Sequence, residues 1–103
     1  MNRIELRVRA TQDLEDAFAH YIEVADVLVA ERFLDEVDRA IAHIAQHPGT
    51  GSPRYAHMPG AEPFRFWTLN KFPYAVFYLE RLDCIEIVRV LHQSQNIYAH
   101  LEP

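Results

Sequence analysis

From Gln12 to Pro48 the apolar residues recur at helical spacing, but in two stripes that one straight helix cannot bury together. Leu14, Ala17, Phe18, Tyr21, Ile22, Ala25 and Leu28 form the first stripe, and Ala30, Phe33, Leu34, Val37, Ile41 and Ile44 the second. At about 100° per residue, the second stripe lies roughly 150° around the axis from the first. An unbroken rod would turn opposite faces to the core at its two ends. A break near Asp26 to Val29, followed by an antiparallel return, removes the conflict, although neither Gly nor Pro marks the turn. Pro48-Gly49 then ends the second helix.

The flanking segments read as strands. Residues 3 to 8 alternate between polar and apolar (Arg3, Ile4, Glu5, Leu6, Arg7, Val8), the period of a strand with one buried face. Thr11 is the expected N-cap of the first helix, with Asp13, Glu15 and Asp16 stabilised by the dipole of its first turn. Residues 49–63, "GTGSPRYAHMPGAEP", hold all three glycines and form a long loop. "FRFWTL" (64–69), "YAVFYL" (74–79) and "IEIVRVLH" (85–92) are rich in aromatic and β-branched residues and predict three strands joined by hairpin-length connections. Ser94 is placed to cap a short last helix carrying Ile97 and Leu101. The order β-α-α-β-β-β-α predicts an α+β fold: a two-helix hairpin packed on a four-stranded, mainly antiparallel sheet. At 103 residues, with no repeat or low-complexity tract, the chain is expected to form one domain over residues 1–103.

Charge narrows the function classes. Between Thr11 and Ala40 nine acidic residues face only Arg32 and Arg39, a local charge of −7 within a net charge of −5. The remaining segments are weakly basic, which argues against sequence-independent binding of nucleic acid by the chain alone. The single cysteine, Cys84, permits no internal disulfide and fits a reducing cytoplasm. The opening "MNRIELRVRA" lacks the apolar core of a signal peptide, and no apolar run approaches the ~20 residues of a membrane span. No motif calls for a cofactor. His43 and His47, spaced i, i+4, share a helix face, but nearby Cys, Asp or Glu do not complete a metal set; last-turn histidines complementing the helix dipole are the expected role.

Four stretches carry a resemblance when taken together and in order: "TQDLEDAFAHY" at the first helix, "IAHIAQHPGTG" ending the second, "PFRFWTLNKFPYAVFY" across two strands, and the closing "IEIVRVLHQSQNIYAHL". They resemble the ParE/RelE superfamily of bacterial type II toxins, and the "I-x-R-V-L-H" ending resembles its ParE branch of plasmid-stabilisation toxins. The resemblance covers nearly the whole chain. It implies a toxin that inhibits DNA gyrase by direct binding and that is neutralised by a ParD-like antitoxin in a hetero-oligomer. The RelE alternative, ribosome-dependent cleavage of mRNA, needs a base or hydroxyl activator and cations around the scissile phosphate. Here the residue after Tyr74 is Ala75, and Gln93, Ser94 and Gln95 follow His92 without charge. If the chain did cleave RNA, His92, Tyr98 and Arg89 would be the catalytic candidates; the ParE reading assigns none. A relative that only binds its antitoxin is a third possibility.

Partner-binding candidates are Arg65, Trp67, Tyr78, Arg89 and His92. Each also has a structural reading. Arg89, between Ile87 and Leu91 on an apolar face, is expected to pair with a carboxylate or with backbone carbonyls unless it meets a partner. His92 either caps the strand end or serves as a base. Arg65 covers aromatic surface or recognises a partner, Trp67 offers a half-exposed anchor, and Tyr78 reads as a core or rim aromatic.

Overall fold

The computed structural model describes residues 2–54 and 62–101, with the side chain of Tyr98 excepted. Strand β1 (Arg3–Leu6) leads directly into helix α1 (Val8–Val24), which turns into α2 (Val27–Gln46). A short 3-10 turn at Pro48–Thr50 follows, then β2 (Arg65–Thr68), β3 (Tyr74–Glu80), β4 (Cys84–His92) and α3 (Ile97–Leu101). The sheet runs β1-β4-β3-β2, with β1 parallel to β4 and the other pairs antiparallel. The β-α-α-β-β-β-α order and the helical hairpin therefore stand as the sequence implies. Residues 55–61 of the 49–63 loop lie outside the described residues.

The turn between the helices is made by Asp26. Its backbone is extended, and its carboxylate accepts the Val29 N–H at 2.9 Å, satisfying a donor that the new helix leaves open. An Asp before an apolar run is an N-cap signal in its own right, so Gly or Pro is not required.

The start of α1 differs from expectation. The helix opens at Val8, not after Thr11, and Arg7 stands at its N-cap without a side-chain hydrogen bond. The cause is continuity with the sheet: the Arg7 N–H still donates to Ile87 O at 2.9 Å, while its carbonyl accepts the Thr11 N–H at 3.1 Å. Thr11 is thus inside the first turn. Asp13 lies one turn further on and does not serve the helix dipole.

Two apolar layers sandwich the sheet. On one face Phe33, Val37, Ala40 and Ile44 of the hairpin pack on Tyr74, Val76, Tyr78, Ile85, Ile87 and Val90. On the other face Ala75, Phe77, Leu79, Val88 and Leu91 meet Phe64 and Leu101. Alternation along β4 is broken by a bulge: Phe77 opposes Arg89 while its neighbour Tyr78 opposes Ile87. An extra residue shifts everything beyond it to the other face. Ile87 and Leu91 consequently belong to different layers, and Arg89 does not share one apolar face with both, as strict alternation would have it.

Candidate functional site

Two clusters contain the residues singled out by sequence. The first surrounds the turn that follows α2. The Tyr78 hydroxyl donates to Pro48 O at 2.6 Å and accepts the Gly51 N–H at 3.0 Å, and the side chain is wholly buried. Burial pushes its pKa up. Gly51 is required by this approach, because a Cβ there would sit 2.2 Å from the Tyr78 oxygen. Arg65 reaches the same turn from β2, donating from Nη1 to Gly51 O at 2.9 Å and Gly49 O at 3.3 Å. Trp67, half-buried, stacks on the His43 ring with centroids 4.2 Å apart and planes at 22°. His43 Nε2 in turn lies 3.0 Å from the Thr50 hydroxyl. Arg65, Trp67 and Tyr78 therefore meet at one place, where they fix the chain as it leaves α2. Arg65 and Trp67 keep exposed surface; Tyr78 does not.

The second cluster closes β4. Strand β1 ends opposite Ile87, so the outer edge of β4 beyond that point needs other partners. Asp13 supplies one. Its Oδ2 accepts the Val90 N–H at 2.9 Å, and both carboxylate oxygens accept from Arg89, Nε at 2.8 Å and Nη2 at 2.9 Å. Arg89 also points Nη1 at His100 O, 3.4 Å away. The two side chains are only 8% and 14% exposed, so each charge has the partner that burial demands. The carboxylate expected for Arg89 is thus Asp13, which sequence reasoning had assigned to the helix dipole. The signal was its position one turn into a helix that follows a strand without a linker.

The polar tail beyond "RVL" folds on itself. The His92 N–H donates to Gln95 Oε1 at 2.8 Å, and the Gln95 N–H donates to His92 O at 3.0 Å. The Ser94 N–H donates to His92 Nδ1 at 3.0 Å, with the Ser94 hydroxyl 2.7 Å from the same atom. Nδ1 is an acceptor here, so a neutral His92 ring carries its proton on Nε2. Ser94 is consequently not the cap of α3; Asn96 takes that place, with Oδ1 accepting the Ala99 N–H at 3.4 Å. The Tyr98 side chain, a candidate under the ribonuclease alternative, lies outside the described residues. His92 meets Tyr74 edge-on at 5.1 Å and borders a cleft of about 290 Å³ with Asp13, Asp16, His20 and Gln95. Its neighbourhood is acidic, unlike a site that must stabilise a phosphorane.

Among the described residues no helix is long and apolar enough to cross a membrane. The helical hairpin on a four-stranded sheet, with an Arg-bearing last strand ending in a polar turn, is the α+β domain that the sequence order predicts. The family model described as the ParE toxin of type II toxin–antitoxin systems, parDE, matches residues 4–97. The chain belongs to that ParE toxin family. It is 34% identical over 101 residues to Toxin ParE1 of Caulobacter vibrioides, covering 98% of this chain and 99% of that protein. A solved structure titled as a chromosomal ParDE TA system from P. aeruginosa has the same fold, with a TM-score of 0.74 at 21% identity over 89% of this chain and 96% of that one.

Proposed function

We propose that this ParE-family toxin acts by occupying DNA gyrase and that a ParD-like antitoxin neutralises it by covering its exposed apolar surface. The observation that carries the reading is the engagement of the closing polar residues. Arg89 is neutralised by Asp13, while His92, Ser94 and Gln95 satisfy one another. These groups build a rigid edge, and a rigid edge suits recognition better than transfer of protons at a phosphate. Apolar surface at the hairpin tip supports the antitoxin half of the proposal: Val24 and Leu28 are 63% and 59% exposed, beside Ile22 and Val27. A disordered antitoxin segment that folds on binding would cover such surface.

The test is induction of the chain in cells, followed by gyrase supercoiling assays and transcript-integrity measurements with purified protein. The expected result is loss of supercoiling with intact transcripts, reversed by a ParD-like protein from the neighbouring reading frame. Cleaved transcripts on translating ribosomes, with supercoiling untouched, would select the RelE-like ribonuclease. Absence of toxicity with retained antitoxin binding would select a chain kept for its partner alone.

A further inference from the structure

Between Thr11 and Ala40 the hairpin contains two basic residues, and both line the same cleft. Arg32 and Arg39, two helical turns apart on α2, border a hollow of about 400 Å³ between that helix and the β2–β3 turn. Lys71, the only lysine of the chain, closes it from the turn. Asp35 and Glu36 also border the hollow, so three cations meet two carboxylates there, beside a segment whose local charge is −7.

Three features distinguish the hollow from an ordinary charged surface. First, its cations are incompletely used. Glu36, itself buried, is bound by Arg39, whereas Arg32 and Lys71 have no ion-pair partner among the described residues. Second, Lys71 has φ of 68°, the left-handed region that Gly or Asn adopts at lower cost. Lys71 holds that conformation where it lines the hollow, and strain of this sort concentrates at binding sites. Third, the walls are not wholly polar. Val29 and the half-buried Phe72 offer apolar surface beside the cations.

We propose that this hollow receives a short acidic segment of a protein partner, one carboxylate beside one apolar side chain. The carboxylate meets Arg32 and Lys71, and the apolar side chain lies on Val29 and Phe72. The hollow is of a size that holds a few side chains. A nucleic-acid backbone fits less well, since its next phosphates would run along the acidic surface of α2, past Glu31 and Asp38. The inference does not depend on which target the toxin occupies.

The test uses the full chain at micromolar concentration, with fluorescence anisotropy of a labelled hexapeptide alternating leucine and glutamate. Its glutamine counterpart and a labelled hexathymidylate serve as comparison probes. The acidic peptide is expected to bind at least about fivefold tighter than the glutamine peptide, a difference that salt removes. Lys71→Asn, which retains the backbone geometry, and Arg32→Gln are each expected to weaken it roughly fivefold. Arg9→Gln, away from the hollow, should leave it unchanged, and circular-dichroism melts should match throughout. Equal binding of the two peptides, no measurable binding, or indifference to both substitutions overturns the proposal. Hexathymidylate binding tighter than the acidic peptide and weakened by the same substitutions overturns it in favour of a phosphate backbone.

Discussion

Three hydrogen bonds converge on the Asp13 carboxylate, two from Arg89 and one from the Val90 N–H. A pair this well enclosed is more costly to break than to replace, because removal of one partner leaves the other charge buried alone. Asp13→Ala should therefore lower stability by about 3 kcal/mol. The double substitution Asp13→Ala with Arg89→Leu should lose less than the two single losses added together, with a coupling of at least ~1 kcal/mol. Urea unfolding midpoints of the four proteins check both statements; additive losses would mean that the pair is not energetically coupled. An Arg bound on both edges has little freedom to follow a migrating charge, which supports the proposed role in recognition over a catalytic one.

At the scale of elements, the reversal between α1 and α2 rests on one side chain. Asp26→Ala removes the acceptor for the Val29 N–H and should destabilise the protein by about 1 kcal/mol. Asp26→Asn or Asp26→Ser should restore most of that loss in thermal or urea unfolding. The reversal was legible in the sequence because two stripes out of phase are a geometric contradiction, independent of any turn residue. The strands were legible to within a residue or two, since aromatic and β-branched runs bounded by polar turns leave little choice. The α1 start was not, because the Arg7 N–H pairs with Ile87, eighty positions away in the chain, and local preference for Thr11 loses to that bond. The β4 bulge was equally hidden: "IEIVRVLH" alternates cleanly enough that nothing local marks the extra residue. At the candidate site, the need for an Arg89 carboxylate could be read from chemistry. Its identity as Asp13 required knowing that α1 crosses the open edge of β4.

For the whole molecule, distant segments are joined by charge as well as by packing. Glu86 on β4 accepts from Arg7 at 2.8 Å and from Arg81 at 3.2 Å, and Glu62 bridges the same two guanidiniums at 3.4 and 2.8 Å. The hydrogen bond from Arg7 is the main cause holding the Glu86 carboxyl below its ordinary value of 4.5. A carboxyl with a lowered folded-state pKa contributes stability above the unfolded-state value, and that contribution is lost as pH falls through the folded-state value. Glu86→Gln should therefore be less stable than the parent at neutral pH, with the gap closing as pH falls from about 5 toward 3. Urea unfolding across that range checks the sign; a gap that widens in acid would refute it. The parallel pairing of β1 with β4 has a further consequence, for the timing of synthesis. Arg3 sits opposite Cys84, and the Arg7–Glu86 and Asp13–Arg89 contacts span 79 and 76 positions. β1 must wait for β4 to be synthesised before it has a strand to pair with, so its loop-closure entropy is met late. A nascent chain interrupted before Cys84 would carry β1 with no strand to pair with. The four-stranded sheet is therefore complete only after β4 has been synthesised, and a chain cut short before it lacks the Asp13–Arg89 pair as well.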